Sequence, residues 1–192
     1  MKIYTRRGDD GTTGLLYGGR VRKTSAVIAA NGAVDEAQAA LGAVRAEVER
    51  GSELDALLVR LERDLYVLMA ELATAPANRT KLHDGQTRVD ASMVAALEDS
   101  IDELAGRFPP LTDFVVPGHD RVAASLDVAR TIVRRAERAV LLADEEHAAA
   151  GTPSQPASQV GPYLNRLSDL VWTMARWQEH GDSLLSRQTT TP

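Results

Sequence analysis

The chain has 192 residues, enough for one domain with a substantial core. Apolar residues make up 44% and aromatic residues only 4% of it, and alanine and leucine are abundant, which favours helices over sheets. The absence of cysteine excludes disulfides, thiolate metal sites and a cysteine nucleophile. The net charge of −5 argues against nucleic acid as a partner. No apolar run reaches transmembrane length, so we expect a cytoplasmic protein that binds no membrane.

Residues 1–23 concentrate glycine, threonine and arginine. Glycines let backbone N–H groups converge on one point, and hydroxyl and guanidinium groups around such a nest suit a polyphosphate. The segment contains neither the Gly-x-x-x-x-Gly-Lys-Ser/Thr pattern of a P-loop nor a dinucleotide-binding fingerprint. Two interpretations stay open: a polyphosphate-binding segment, or a basic N-terminus without order.

After this segment the chain has the apolar periodicity of helices. Residues 26–50 are rich in alanine and predict a first helix, which Gly51 ends. A second helix follows, with Ser52 as its N-cap and Pro76 beyond its end. Its buried stripe is predicted from leucines spaced three and four residues apart: Leu54, Leu57, Leu58, Leu61, Leu65, Leu68 and Leu72. The polar residues 77–87 predict a loop.

A third helix is predicted over residues 89–107, and Pro109 and Pro110 stop it. Residues 114–118 predict a short extended segment that ends in a turn. A long fourth helix is predicted to start near His119. Its apolar stripe consists of Val122, Leu126, Ala129, Val133, Ala136 and Val140.

A fifth helix is predicted to start near Ala157 or Val160 and to end near Gly181. A flexible linker is predicted before it over residues 148–156, and a disordered tail over 188–192. The core candidates of the fifth helix are Leu164, Leu167, Leu170, Val171 and Met174.

These elements predict an all-α fold, a five-helix bundle with a glycine-rich N-terminal segment. No internal repeat or shift in composition divides the chain, so we expect one domain over residues 1–192. Within it we distinguish the N-terminal segment 1–24, the helical bundle 25–181 and the tail 182–192.

The predicted fourth helix carries a dense group of charged residues. Arg130, Arg134 and Arg138 are spaced i, i+4, i+8 and share one face, which Glu137 also reaches. This face is either a solvated surface with ion pairs inside the helix or a phosphate-binding surface.

Three further residues have two interpretations each. Asn165 could bind a metal ion or a phosphate, or lie on the helix surface one turn from Asp169. Asp35 could cap a helix or pair with an arginine across an interface. Phe114 could fill the core, the usual place of an isolated aromatic residue, or shape a cofactor pocket. The scattered histidines match neither a zinc nor a di-iron pattern, and no Ser–His–Asp arrangement is recognisable.

Five motifs in this order resemble those of the PduO-type ATP:cob(I)alamin adenosyltransferases. They are Thr5–Thr13, Gly32–Glu36, Phe114–Gly118, Arg130–Arg138 and Asn165–Asp169. The arginine motif is the most specific of them. The resemblance implies a homotrimer of five-helix bundles with its active sites at the subunit interfaces.

The resemblance also implies roles for individual residues. Arg134 and Asn165 would hold ATP and its Mg²⁺, supported by Glu137 and Arg135 and, as a further candidate, by Arg138. Asp35 and Arg130 would form a salt bridge between subunits, and Phe114 would lie under the corrin ring and displace its lower axial ligand. The N-terminal segment would wrap the triphosphate of ATP through Thr5, Arg6, Gly8, Asp9, Gly11, Thr12, Thr13, Arg22 and Lys23.

The implied reaction is attack by the Co(I) of cob(I)alamin on the ribose C5′ of ATP, which releases triphosphate. A reductase would supply the electron, and an adenosylcobalamin-dependent mutase or dehydratase would receive the product. The chain departs from the family pattern at Asp10, at residues 25–28, at Asn31 and at Gln38.

Three alternatives to this enzyme are a non-catalytic ATP-sensing or corrinoid-carrying bundle, a purely structural or adaptor bundle, and a ferritin-like metal enzyme. The structural bundle leaves the basic N-terminus and the arginine cluster without a purpose. The ferritin-like enzyme lacks its inward carboxylate and histidine sets.

Overall fold

The computed structural model describes residues 3–151 and 158–187. They form five α-helices: α1 (Ala26–Arg45), α2 (Glu53–Leu72), α3 (Ala91–Ala105), α4 (Arg121–Ala149) and α5 (Val160–Gln178). A 3₁₀ helix spans Pro76–Lys81, and two short strands, β1 (Thr12–Gly14) and β2 (Arg20–Arg22), precede the bundle. The predicted all-α, five-helix fold is confirmed.

The bundle is built around α4, which packs against α1 and α5, while α2 packs on α1 and α3 on α5. Buried alanines on α1 and α4 allow these two backbones to come close together. The predicted leucine stripe of α2 is confirmed, because Leu58, Leu61, Leu65 and Leu68 are fully buried. The core candidates of α5 are fully buried as well: Leu164, Leu167, Leu170, Val171 and Met174.

The end of α1 differs from the prediction, which extended this helix to Arg50. The helix ends at Arg45, after which the chain tightens into three-residue turns and reverses at Gly51, whose φ is +80°. The Nε of Arg45 donates to Asp55 Oδ1 at 2.7 Å, and Asp55 Oδ2 accepts from the N–H of Gly51 at 2.9 Å. These contacts to α2 fix the corner that ends the helix.

Two other predicted boundaries also shift. The predicted loop 77–87 contains most of the 3₁₀ helix, which Pro76 begins. Helix α4 continues through Ala149 into the predicted linker, because alanine favours helix there. Residues 152–157 of that linker and the tail 188–192 lie outside the described residues.

The antiparallel pair β1–β2 was not predicted. Thr12 lies opposite Arg22, and the turn passes through Gly18 and Gly19, both with positive φ. The N–H of Leu16 donates to the carbonyl of Ala73 at 2.7 Å, which docks the hairpin on the end of α2.

Two departures from the family pattern tie α1 to α2. The side-chain amide of Asn31 donates to the carbonyl of Met69 at 2.9 Å, and that of Gln38 donates to the carbonyl of Glu62 at 2.6 Å. Both side chains thus satisfy backbone oxygens of the neighbouring helix.

Across residues 3–151 and 158–187, no helix combines the length and the apolar character needed to cross a membrane.

Glu71 is a buried carboxylate near the end of α2. It accepts a hydrogen bond from the N–H of Val89 at 2.7 Å, just before α3 begins. Burial raises the pKa of Glu71, and the Val89 N–H offsets only part of that effect. The folded protein therefore holds this proton more tightly than the unfolded chain does.

We expect Glu71→Gln to change how stability depends on pH. Because the pKa of Glu71 is raised on folding, its carboxylate lowers stability as pH rises above the unfolded value of 4.5. The neutral amide does not titrate and keeps an oxygen that accepts from Val89. The free energy of unfolding of the variant, measured with urea between pH 4 and pH 7, should therefore rise relative to wild type as pH increases.

Glu49→Gln, the same substitution at an exposed position, corrects for the general effect of losing one carboxylate. A Glu71→Gln difference that stays flat across this pH range would show that folding does not raise the pKa of Glu71.

Candidate functional site

Arg20 organises the N-terminal hairpin. Its Nη2 donates to the carbonyl of Arg7 and to Thr12 Oγ1, both at 2.5 Å, and its Nε donates to Thr12 Oγ1 at 3.0 Å. Sequence reasoning did not select Arg20 as a site residue. The signal that could have found it is the Gly18-Gly19 turn, which brings Arg20 back beside Thr12.

Asp10, one of the departures from the family pattern, interacts with the same residues. Its Oδ1 accepts from the hydroxyl of Thr12 at 2.7 Å and from the N–H of Thr12 at 2.9 Å, and Arg20 Nη2 lies 3.5 Å away. The hydrogen bonds from Thr12 lower the pKa of this exposed carboxyl. The negative charge of Asp10 is therefore directed toward the hairpin's own donors.

The space beside Gly8, before β1, is tight. A Cβ on Gly8 would lie 3.0 Å from Lys23 Nζ, the end of a flexible side chain, and 3.2 Å from the carbonyl oxygen of Thr12, so these neighbours would have to shift slightly to admit a side chain. An open cavity of about 570 Å³ is lined by residues 4–7, which include the predicted site residues Thr5 and Arg6. The other predicted N-terminal site residues lie in the turns and strands that follow: Gly8, Asp9, Gly11, Thr12, Thr13, Arg22 and Lys23.

The arginine face of α4 contains cations without a protein partner. Arg134 and Arg138 are exposed and make no hydrogen bond or ion pair with any residue that the structure describes. Arg135, by contrast, pairs with Glu36 on α1, with 2.5 Å between Nη2 and Oε1. Unpaired guanidinium groups on one helix face can bind an anionic ligand.

Asn165 on α5 lies between an anionic and a cationic partner. Its Nδ2 donates to Glu137 Oε1 at 3.0 Å, and its Oδ1 accepts from Arg166 Nη1 at 2.8 Å. Arg166 is held in turn by Glu98 on α3, at 2.9 Å. The structure thus brings together Glu137 and Asn165, and it adds Arg166, which sequence reasoning quoted only as part of a motif.

The donor set of this cleft is compatible with Mg²⁺. The ion prefers oxygen ligands and is commonly held by one or two carboxylates together with substrate phosphates. Glu137 supplies a carboxylate and Asn165 an amide oxygen. In the described part of the chain, no group of three or more histidine, cysteine, aspartate or glutamate side chains could hold a metal ion by itself. The remaining ligands would therefore come from substrate and water.

Asp35 and Arg130 do not meet within the chain. Asp35 is exposed on α1 and has no hydrogen bond or ion pair to a described residue. Arg130 lies 3.6 Å (Nε–Oδ1) from Asp127 on its own helix, and its buried Nε has no hydrogen-bond partner among the described residues.

Phe114 is 80% exposed, so the interpretation that it fills the core is wrong. It lies in an irregular segment between α3 and α4. A bare aromatic ring is costly to leave in water, which favours the other interpretation, an aromatic group that meets a ligand.

A buried ion cluster between α4 and α5 was missed by sequence reasoning. Arg176 is only 1% exposed, and its Nη2 donates to Asp127 Oδ2 at 2.7 Å and to Glu179 Oε1 at 3.1 Å. Asp127 also faces Arg130, so the cluster reaches the arginine face. The available signal was an arginine inside the apolar stripe of α5, where a buried charge requires a partner.

The chain combines a helical bundle and a basic, glycine-rich N-terminal segment with exposed arginines on α4 and an exposed phenylalanine. These are the features of a protein that binds a polyphosphate and an apolar surface. The chain belongs to the cobalamin adenosyltransferase family, whose sequence pattern matches residues 3–178.

Curated relatives support this membership along almost the whole chain. A corrinoid adenosyltransferase of Mycobacterium tuberculosis is 38% identical over 194 residues, covering 96% of this chain and 97% of that protein. One from Citrobacter freundii is 38% identical over 178 residues, covering 93% of this chain and 95% of that protein.

Solved structures agree with the sequence comparison. A variant PduO-type ATP:corrinoid adenosyltransferase from Lactobacillus reuteri, complexed with cobalamin and ATP, aligns with a TM-score of 0.81 and 29% identity, covering 97% of both chains. A second variant PduO-type adenosyltransferase from Lactobacillus reuteri, complexed with ATP, aligns with a TM-score of 0.79 and 27% identity, covering 96% of this chain and 100% of that one.

Proposed function

We propose that the protein transfers the 5′-deoxyadenosyl group of ATP to the Co(I) of a reduced corrinoid, giving adenosylcobalamin and triphosphate. The observation that carries the proposal is the likeness, over 97% of the chain, to an adenosyltransferase complexed with both cobalamin and ATP. The non-catalytic ATP-sensing or corrinoid-carrying bundle is the less favoured alternative.

The reaction is a displacement at carbon. The electron pair of Co(I) attacks C5′ of ATP, the C5′–O bond breaks, and its electron pair leaves with the triphosphate. Cobalt is formally oxidised from Co(I) to Co(III) as the Co–C bond forms. Because the corrinoid metal is the nucleophile, the protein needs no activated serine or cysteine. Alignment of the two reacting atoms can supply roughly 7–11 kcal/mol of barrier lowering.

Arg134 and Arg138 stabilise the charge on the leaving triphosphate. Both guanidinium groups are exposed and have no partner among residues 3–151 and 158–187, so they can turn toward the anion without breaking an ion pair there. Glu137 and Asn165 would hold Mg²⁺, which neutralises phosphate charge when bound. The N-terminal arm, residues 5–23, encloses the phosphates with backbone N–H, hydroxyl and cationic groups.

The active sites lie at the subunit interfaces of a homotrimer. Asp35 and Arg130 belong to different subunits in each site and form a salt bridge across the interface. Two observations support this salt bridge. The carboxylate of Asp35 is exposed and has no partner among the described residues. The buried Nε of Arg130 has no hydrogen bond to any of them. An unpaired buried donor is costly, and a partner subunit would satisfy it.

The chain acts as a single adenosyltransferase domain over residues 1–192 in the cytoplasm. A reductase delivers the electron that forms Co(I), and an adenosylcobalamin-dependent mutase or dehydratase receives the product. These partners follow from the chemistry, because Co(I) is consumed and adenosylcobalamin is released in each turnover.

The decisive test of the proposed function is anaerobic turnover with chemically reduced cob(I)alamin and Mg-ATP. We expect the Co(I) absorbance to disappear as a light-sensitive product forms, with one triphosphate released for each. Binding of Mg-ATP without turnover would favour the ATP-sensing or carrier protein instead.

We expect Arg134→Ala to weaken Mg-ATP binding by roughly 10- to 150-fold, since a hydrogen bond to a charged group contributes about 1.5–3 kcal/mol. Helix content should not change, because Arg134 is exposed. Calorimetric titration gives the affinity and circular dichroism the helix content. Arg121→Ala, at the far end of the same helix, is the matched control. Wild-type affinity in Arg134→Ala would contradict the phosphate-binding role.

We expect Phe114→Ala to lower cobalamin adenosylation by about 100-fold while Mg-ATP binding stays unchanged, because misplacing one reactant can cost that much. The exposed ring can be removed without opening a core cavity. Anaerobic kinetics with ATP and cobalamin varied separately measure both effects. Tyr66→Ala removes another exposed ring, on α2, and should have no effect. If Phe114→Ala turned over at the wild-type rate, Phe114 would not contact the corrinoid.

A further inference from the structure

The residues that follow α5 pair with the segment that carries Phe114. His180 and Gly181 have φ values of +52° and +90°, and the chain turns back after them. The N–H of Val116 donates to the carbonyl of Leu184 at 2.8 Å, and the N–H of Ser186 donates to the carbonyl of Phe114 at 2.8 Å. These two antiparallel hydrogen bonds flank Val115 and fix the backbone from Phe114 to Val116.

Asp113 fastens one end of this pairing. Its side chain is only 12% exposed. Oδ1 accepts from the N–H of Phe114 at 2.7 Å and from the hydroxyl of Ser186 at 3.2 Å, while Oδ2 lies 3.3 Å from Nε of Arg187. One carboxylate therefore ties the phenylalanine to two residues more than 70 positions later, with a separation of 73 to Ser186.

Ser183 fastens the other end to the bundle. Its hydroxyl donates to Glu179 Oε2, and Glu179 is buried against Arg176. Arg176 is paired with Asp127 on α4. The segment is thus anchored through the buried ion cluster to the helix that carries the arginine face.

We infer that residues 182–187 are a positioning segment for Phe114, and that Asp113 is a positioning residue, an inference that rests on the proposed function. Phe114 is 80% exposed, so packing in the core does not place its ring. The backbone bonds to Leu184 and Ser186 set its position instead. Without them, residues 111–118 form an irregular loop with no helix or strand to hold the ring toward the corrinoid.

Two truncations test the inference. A chain that ends at Ser183 loses the pairing residues, whereas a chain that ends at Arg187 keeps all of them and serves as the matched control. For the shorter chain we expect kcat with cob(I)alamin to fall by about tenfold or more, as misplacement of a reacting group predicts. Affinity for Mg-ATP should change by less than about twofold, because the arm and Arg134 are untouched. The control should match wild type in both.

A spectroscopic measurement separates positioning from a general loss of structure. Electron paramagnetic resonance of bound cob(II)alamin reports whether the lower nitrogen ligand is still on cobalt. We expect the shorter chain to retain that ligand in a larger share of the bound corrinoid than the control does. Asp113→Ala should behave like the shorter chain, and Asp113→Asn, which keeps an acceptor for the Phe114 N–H, should recover part of the effect.

Amide hydrogen exchange over residues 113–117 tests the pairing without any turnover. Faster exchange there in the shorter chain, with α1–α5 unchanged, supports the inference even if wild type proves to be no adenosyltransferase. The inference would be overturned if wild type and the shorter chain turned over at the same rate. Unchanged exchange over residues 113–117 in the shorter chain would also overturn it. Failure of the proposed function and failure of this inference therefore give different results.

Discussion

The arrangement of the helices and of the reactive surface depends on one buried guanidinium. Arg176 lies between the carboxylates of Asp127 and Glu179 where α5 crosses α4. Burial of an isolated charge costs several kcal/mol, so each of the three groups is tolerated only because the others are in place. The cluster holds the end of α5 against α4, orients Asp127 toward Arg130 and gives Ser183 its acceptor. Replacing Arg176 would leave two buried carboxylates facing each other.

The proposed chemistry explains why the cationic and oxygen-bearing groups of the site lie on helices and its apolar ring on a separate segment. Substrate supplies both the nucleophile and the leaving group, so the protein contributes position and charge. Within the part of the chain that the structure describes, Arg134 and Arg138 on α4 have no ion pair, whereas Arg135, which points toward α1, pairs with Glu36. Glu137, one turn after Arg134 on α4, and Asn165, hydrogen-bonded to it from α5, supply oxygen atoms that can bind a metal ion. An apolar ring, Phe114, stands apart from these groups on a separate segment. The charged and oxygen-bearing groups and the apolar ring are thus carried by different parts of the fold.

Helical periodicity predicted the five helices and most of their buried residues, because the stripes of α2 and α5 are long and regular. The motifs also predicted that Glu137 and Asn165 act together, which the hydrogen bond between them agrees with. The hairpin was missed because its strands have only three residues each, too few for an alternating pattern to be recognised. The pairing of Arg176 with Asp127 and that of Phe114 with Ser186 were missed for another reason: both are contacts between distant parts of the chain, which local patterns do not encode.

The pairing around Phe114 also bears on how the protein folds and fluctuates. It joins residues separated by 73 positions through a few hydrogen bonds near the surface. Closing so long a loop has an entropic cost that these bonds must offset, whereas the helices form from local contacts. The geometry around the ring is therefore expected to form late, after the helices have packed. For the same reason it should open first in the native state, by local unfolding that leaves the helical core intact.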